Sequence, residues 1–522
     1  MSNDDVSFTL RQLPRRRSGL ALLSSLVASC AGGDSDVALG DRVHVALSLS
    51  HCSLRSPILE EDVASLAWDN VLGARVDENK DCELVIVAFL PKGGSQSTEP
   101  RDRKRHEWRL QFDTADRPLV DALVRRIRWL ADPRTLAVRA SAKSVDELFA
   151  SNQELHRRRF LVLINPIGGP GRGLQMYNKY IAPMLRDAAI DADVQLTDHA
   201  EHMIEIAAEV PLGKYDCIVA VGGDGSPCEV FQGLMKRYDW RDAIQLPIGV
   251  VPGGSGNGLF ASLMHASGER FHAVNAGFVL AKGTPRAVDC TAVRNPHGDV
   301  MYSFLSTTWA FIADMDIESE RFRFLGGGRF TVTALKLIFL GNKQYPGTIW
   351  YLEEGDDNDR GRGVDNEAAA SKPPVFHAGD ERPGFDEHDG SAHHENARWK
   401  KLDKGLHFFM AMNVSHPATD AHMAPGAPLD DGFNYMVLID AEHHHRLQVA
   451  RLLLSADDGS HVEHETVSVI KTRAFKVEPS RPDDLICVDG ELFRGPVEAQ
   501  VHRQVARFLC LPTSASTVGQ AA

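Results

Sequence analysis

The 522-residue chain has no C-x-x-C pair. Its eight cysteines are scattered, which excludes a disulfide framework and a zinc site built on paired thiolates. Reduced thiols in an intracellular protein fit that pattern. Basic charge is not in excess either. A formal net charge of −14 argues against nucleic acid as the main partner, because neutralising phosphates needs a basic face. Two common nucleotide signatures are missing. G-x-x-x-x-G-K-S/T fails because Leu174 follows Gly173, and G-x-G-x-x-G fails because Gly169-Pro-Gly171 meets Leu174 where the last glycine belongs. Finally, no apolar run is long enough to span a bilayer. Arg15-Arg16-Arg17 followed by the apolar stretch from Gly19 to Cys30 has the two halves of a signal peptide but falls short of a span. This segment reads as a flexible arm or a basic segment touching a membrane.

Three apolar strands end in glycine-rich loops within about a hundred residues. They are Phe160-Leu-Val-Leu-Ile-Asn-Pro-Ile-Gly-Gly-Pro-Gly-Arg-Gly, Cys217-Ile-Val-Ala-Val-Gly-Gly-Asp-Gly-Ser-Pro and Pro247-Ile-Gly-Val-Val-Pro-Gly-Gly-Ser-Gly-Asn-Gly. Glycines let the backbone turn sharply and approach a ligand closely. Such loops offer unobstructed N–H groups to phosphate oxygens, and in an open α/β sheet they stand where ligands bind. Asp224 is the one carboxylate among them. Phosphoryl transfer needs a base for the attacking hydroxyl and groups that hold phosphate, so the pattern points to that chemistry.

The expected fold class is α/β plus β. Residues 1–40 read as a flexible arm. Residues 41–150 carry strand-like runs and then a helix with Leu119, Leu123, Ile127 and Leu130 on one face. By pattern this resembles a pleckstrin-homology-like (PH-like) module, and equally a generic small β domain. Residues 155–285 alternate strands and helices, as in a parallel-sheet α/β nucleotide domain. Residues 286–512 read as an antiparallel β-sandwich, and 513–522 as a tail. The sandwich is interrupted at 353–400 by a stretch rich in Asp, Glu, Gly, Pro and His, too poor in aliphatics to offset its ordering entropy. His393-His394 and His443-His444-His445 lack the cysteine or carboxylate spacing of a metal site and read as solvated loop residues.

The motifs Asn165-Pro-Ile-Gly-Gly, Gly223-Asp-Gly, Pro252-Gly-Gly-Ser-Gly-Asn and Asp489-Gly-Glu491 occur in the order seen in the lipid-kinase superfamily that includes diacylglycerol kinases. The block Trp309-Ala-Phe-Ile-Ala-Asp-Met-Asp-Ile-Glu-Ser-Glu-Arg-Phe-Arg-Phe-Leu-Gly-Gly-Gly-Arg-Phe is more selective, and with it the chain resembles the sphingosine kinases (long-chain-base kinases). The resemblance runs from about Arg159 to Leu511, outside the acidic insertion. It implies transfer of the ATP γ-phosphate to the primary hydroxyl of a sphingoid base, with Asp224 as base.

The resemblance also implies roles for individual residues. Nucleotide would be bound by Asn165, Pro166, Ile167, Gly168, Gly169, Arg172, Thr197, Gly222, Gly223, Gly225, Gly254, Ser255, Gly256, Asn257, Arg323, Arg329, Asp489, Gly490 and Glu491. Glu491 would lie near a Mg²⁺ that arrives with ATP. Asp316 would pair with the substrate amine, and Phe311, Ile312, Met315 and Phe330 would line the acyl-chain pocket. A peripheral membrane surface, a cytoplasmic location and a homodimer are compatible with that reading.

Structural readings stand beside these. Ser226-Pro-Cys-Glu229 reads as a helix N-cap, a proline at the first helical position and a capping-box acid, which removes Glu229 from the catalytic set. Asp224 alone could be a turn former. Asp314 and Glu318 read as solvated or structural companions of Asp316, Arg321 as an exposed residue, and Phe311 and Ile312 by periodicity alone as core. Two departures from the family stand out. Ile167 and Pro170 occupy a loop where relatives carry basic residues, leaving Arg172 as its cation. Gly258 stands where relatives usually have alanine, which predicts a looser helix start. The alternatives are a ceramide or diacylglycerol kinase, whose substrates offer no cation for Asp316, and a catalytically silent membrane-binding scaffold.

Overall fold

In the computed structural model, the residues described are 6–12, 42–56, 61–77, 80–92, 100–150, 155–319, 345–352, 399–403, 405–442, 447–482 and 484–512. They form two compact units. One holds the described residues up to 158, apart from Pro100, together with 183–191; the other holds Pro100, 159–182 and the described residues from 192 onward.

The first unit is a seven-stranded sheet of β1 (Val6–Gln12), β2 (Arg42–Leu47), β3 (His51–Ser56), β4 (Glu61–Ala67), β5 (Val71–Asp77), β6 (Lys80–Pro91) and β7 (Arg103–Gln111). Their spatial order is β4-β3-β2-β1-β7-β6-β5. Helix α1 (Arg117–Ala131), with a proline in its first turn, packs on β5. The core joins Val45, Leu54, Trp68 and Ile86 of the strand segment to Leu123, Ile127 and Leu130 of the helix. Two expectations change here. The lead is not wholly an arm, because Val6–Gln12 pairs with both β2 and β7. Leu119 is half exposed, and the buried helix face runs instead through Val120, Leu123, Val124, Ile127 and Leu130.

The second unit begins with β8 (Arg159–Ile164), β9 (Asp191–Leu196), β10 (Cys217–Gly222) and β11 (Ile248–Pro252). Apart from its exposed first residue, β8 is buried, as is all of β10, as expected for parallel strands covered on both faces. The order β9-β8-β10-β11 places the chain reversal between β8 and β10. At such a point two neighbouring loops splay apart and leave a crevice at the carboxyl ends of the strands. Asn165 and Gly223 lie at those two ends. Helices α2 (His202–Glu209), α3 (Gly225–Met235), α4 (Gly258–Ala266) and α5 (Ala273–Lys282) follow in sequence, with α3 packed on β10 and α5 on β11.

After residue 285 the sheet continues. The long C-terminal strand Val497–Cys510 returns to pair parallel with β11, through Ile248 and Phe508. It also pairs antiparallel with Thr284–Arg294 and with Ala474–Pro479. The resulting sheet has ten strands, so the α/β and β regions share one sheet and lie in one compact unit. A second sheet of six strands has Ser306–Ala310 and Leu406–Met412 at its centre. The two sheets meet where Phe409 packs edge-on to Phe475, with ring centroids 5.9 Å apart.

Most of the acidic insertion, His393-His394 and His443-His444-His445 lie outside the described residues. Its expected end is corrected: Trp399 and Lys400 belong to a strand and pair with Leu352 and Tyr351.

Candidate active site

The three glycine loops stand side by side at the carboxyl ends of β8, β10 and β11. The Asn165 amide donates to the Val221 carbonyl at 3.0 Å, and its Oδ1 accepts from the Ile167 amide at 3.1 Å, starting the first loop as a tight turn. Two glycines are required by the packing of these loops. Gly169 has φ +55°, and a Cβ there would stand 2.7 Å from both the Gly253 carbonyl oxygen and Gly254 Cα. A Cβ on Gly254 would stand 2.4 Å from Gly223 Cα. Backbone thus touches backbone across all three loops. The Gly253 amide also donates to the Gly222 carbonyl at 2.6 Å. Asn257, in the left-handed region at φ +59°, closes the third loop. Its Oδ1 accepts from the Gly254 amide and its Nδ2 donates to the Gly254 carbonyl, both at 2.9 Å. Ser255 and Gly256 form the tip, where the Gly256 carbonyl accepts from the Thr419 amide.

Asp224 is the N-cap residue of α3, yet its carboxylate does not cap that helix. It turns to α4, where the Leu259 amide donates to Oδ1 at 3.0 Å. Burial pushes its pKa up to about 6, and the charge of Asp489 adds to the rise. The Leu259, Gly258 and Asn257 amides pull the other way. A helix N-terminus favours a carboxylate, but here desolvation prevails. The outcome is a fixed carboxyl group more basic than an ordinary aspartate, a direction that suits a proton acceptor.

Asp489 is held by the chain around residue 304. Its carboxylate accepts from Ser303 Oγ at 2.6 Å and from the amides of Phe304, Leu305 and Ser306 at 3.0–3.1 Å. With both oxygens so engaged, it holds the turn that presents Gly490 and the exposed Glu491. Glu229 departs from expectation. The helix starts at Gly225, so Ser226 and Pro227 lie inside its first turn and Glu229 is not a capping-box partner. Glu229 faces the Met203 amide at the start of α2. Burial, Glu491 and Glu201 together raise its pKa to about 6. Thr197 is buried at the end of β9, with its amide donating to the Ile164 carbonyl at 2.9 Å. Ile167 and Arg172 are exposed on the first loop. Among the described residues, no group of three or more His, Cys, Asp or Glu side chains is arranged to hold a metal ion.

Gly258 is not a loosening of the helix start. A Cβ there would lie 2.3 Å from the Pro417 carbonyl oxygen and 2.7 Å from that of His416. The segment 416–419 packs directly against the start of α4, and Ser262 Oγ donates to the His416 carbonyl. Nothing local in the sequence signals this contact, since the partners lie more than 150 residues apart. Behind it, His416 and His422 stack with ring centroids 4.2 Å apart, and His265 of α4 stands about 5 Å from each.

On the expected lipid side, helix α6 (Phe311–Ser319) leaves the strand Ser306–Ala310. Phe311, Ile312 and Met315 are buried on it. Asp314 is buried as well and accepts a hydrogen bond from the Tyr345 hydroxyl at 2.6 Å, so it is structural, not solvated. Asp316 lies on this helix, but its side chain is outside what is described. Arg321, Arg323, Arg329 and Phe330 also lie outside the described residues.

Comparison with known proteins covers these elements. The family described as diacylglycerol kinase catalytic domain matches residues 159–293, which hold all three glycine loops. The YegS C-terminal NAD kinase beta sandwich-like domain matches 407–510. Sphingosine kinase 1 of Arabidopsis thaliana is 32% identical over 64% of this chain and 68% of its own. Sphingosine kinase 1 of Homo sapiens is 32% identical over 66% of this chain and 88% of its own. The chain belongs to the sphingosine kinase family. Sphingoid long chain base kinase 4 of Schizosaccharomyces pombe is a further relative, 31% identical over 62% of this chain. The match to the family includes the strand-loop units that place Asp224 and the sheet that carries Asp489 and Glu491.

Proposed function

We propose that this chain phosphorylates sphingoid bases, transferring the γ-phosphoryl group of ATP to their primary hydroxyl. One observation carries the mechanism. Asp224 stands among three phosphate-type loops, oriented by the Leu259 amide and with a pKa near 6. As the substrate oxygen attacks the γ-phosphorus and the bond to the β-γ bridging oxygen breaks, Asp224 takes the hydroxyl proton. The glycine-loop amides and the N-terminal turn of α3 would hold the phosphates, while the α4 amides hold Asp224. In this reading Arg323 and Arg329 add guanidinium donors, and Glu491 lies beside the Mg²⁺ brought by ATP. That ion would offset charge on the transferring group.

Asp316 pairs with the substrate ammonium. Phe311, Ile312, Met315 and Phe330 take the acyl chain. A substrate of this kind resides in a bilayer, so the enzyme works at a membrane surface, reached from the cytoplasm where ATP is available. Among the described residues no helix is long and apolar enough to cross a membrane. The strand order of the first unit supports reading it as a PH-like module.

The test is transfer from radiolabelled ATP to sphingosine, ceramide and diacylglycerol by wild type and Asp316→Asn. Sphingosine should be preferred, and the substitution should lower its kcat/KM at least tenfold while leaving the KM for ATP little changed. Removing one partner of a desolvated ion pair typically costs about 3–5 kcal/mol, less where solvent reaches it. Equal labelling of the three lipids, or equal losses on charged and neutral lipids, would exclude Asp316 as the amine partner.

A further inference from the structure

The first unit contains a cavity of about 450 Å³ whose wall includes Arg125, Arg126, Arg128, Arg134, Arg157 and Arg158. Asp132 is the one acidic residue lining it. In a protein of net charge −14, this concentration of guanidinium groups runs against the overall charge. The volume falls within the range of small-molecule sites, roughly 300–1,000 Å³.

Carboxylates satisfy only part of this charge. Asp132 serves Arg134 at 2.9 Å and Arg158 at 3.7 Å. Arg157 reaches Asp191 at 3.1 Å, and Arg126 reaches the exposed Asp146 at 3.6 Å. Arg128 donates to the Ala74 carbonyl at 2.8 Å and has no carboxylate partner among the described residues. Arg125 is exposed and has no partner among the described residues. Burial and the charges of Arg157 and Arg75 pull the Arg128 pKa down, as expected where like charges are left uncompensated. Part of the wall is aromatic. Trp129 and Phe149 meet edge to face at 5.4 Å, with the Arg126 guanidinium 5.1 Å from the Phe149 ring centroid.

We propose that this cavity is a binding site for a phosphomonoester group carried on a small ring or headgroup, separate from the ATP site. A phosphomonoester carries close to two negative charges and three acceptor oxygens near neutral pH. That matches the two guanidinium groups without a carboxylate, Arg125 and Arg128, and the planar donor forks of their neighbours. The aromatic wall suits the ring that bears the phosphate. The same chemistry is found on a phosphorylated inositol lipid and on a free sugar phosphate.

Calorimetry with inositol 1,4-bisphosphate tests the soluble source on the full chain. Flotation with phosphatidylcholine vesicles containing either phosphatidylinositol 4-phosphate or phosphatidylinositol tests the lipid source, since those two lipids differ by one phosphomonoester. The variants are Arg125→Gln and the double Arg125→Gln, Arg126→Gln. Neither residue belongs to the catalytic site, so kinase turnover and Tm without ligand should match wild type. Wild type should bind the bisphosphate saturably, and the double variant should bind it at least tenfold more weakly. Added flotation with the phosphorylated lipid, lost in the variant, would identify a headgroup. Binding of the bisphosphate alone would identify a free phosphate. The proposal is overturned if no probe binds, if both vesicles bind equally, or if the variants bind as wild type does.

Discussion

Asp224 accepts a hydrogen bond from the Leu259 amide at 3.0 Å, so the carboxylate that ends one βα loop is positioned by the helix that follows another. The two residues are 35 apart in sequence and are brought together by the parallel pairing of β10 with β11. This carboxylate is thereby tied to the strand order and not to its own loop alone. The carboxyl group keeps one orientation while the glycines around it leave the approach open.

Asp224→Asn should abolish turnover without lowering stability. The amide oxygen can still accept from Leu259, but no base remains. The folded protein raises this pKa from 3.8 to about 6, so between those values the folded state binds more protons than the unfolded state. The contribution of Asp224 to stability therefore falls as pH rises through that window. At pH 8 the variant should melt no lower than wild type. In wild type, kcat/KM should fall as pH drops below about 6, because the base becomes protonated. Activity in the variant within twofold of wild type would remove Asp224 as the base.

Asp489 and Glu491 should separate structure from nucleotide use. Asp489→Asn would place an amide nitrogen against the Phe304 N–H, leaving a buried donor unsatisfied at a cost of about 1–3 kcal/mol. Glu491 is exposed, so Glu491→Gln should leave the unfolding midpoint unchanged and raise the KM for MgATP. Denaturant melts and ATP titrations on both variants check this. A stability loss in Glu491→Gln with unchanged ATP kinetics would reverse the assignment.

Much of this site was legible because its chemistry is local. Glycines flanking Asp224, the Asn-Pro and Ser-Gly-Asn turns and the apolar runs before them each signal a strand entering a ligand loop. Contacts made across the fold were not legible. The four donors near residue 304 that hold Asp489 leave no mark in the sequence around 489. Glu229 matched a capping box on spacing, but the helix began earlier and the side chain met a neighbouring helix instead. The pairing of the long strand Val497–Cys510 with β11 depends on topology rather than on local pattern. Val6–Gln12 was missed because a single alternating strand beside a basic, small-residue stretch is a weak signal.

The stacked histidines should make the protein acid-labile. Burial and neighbouring imidazoles push His416 down to about 3 and His422 to about 4, against an ordinary value of 6.5. His265 and the edge of Phe271 face His416, and Ser415 Oγ lies 2.8 Å from its Nδ1. His265 also faces His422, with the charge of His461 acting on it. The unfolded chain protonates these rings first, so their contribution is complete above pH 6.5 and is lost as pH falls toward 4. His422→Phe should keep the stacking surface and flatten the loss of Tm between pH 6.5 and 4. An unchanged pH profile would mean that other groups govern acid unfolding.

Gly258→Ala tests whether the 416–419 segment positions the base. Alanine is a better helix former than glycine by about 1 kcal/mol in an open helix. On propensity alone the substitution should tighten the start of α4. In this fold the new methyl would stand 2.3 Å from the Pro417 carbonyl oxygen, a backbone atom that cannot turn aside as a side-chain tip could. Relief requires moving either the segment from His416 to Thr419 or the first turn of α4. The first weakens the Thr419 amide's hydrogen bond to the Gly256 carbonyl, and the second moves the Leu259 amide away from Asp224. Both act on the base without touching it. Overpacking of this kind typically costs about 1–3 kcal/mol. We expect a lower Tm and a kcat reduced at least fivefold, with the KM for ATP less affected. The pH dependence should move as well, because losing the Leu259 amide removes a donor that favours the ionised carboxylate. The apparent pKa of the base should then rise above its wild-type value. An alanine variant with wild-type kcat, pH profile and Tm would show that the contact is not tight and that Asp224 is positioned without it.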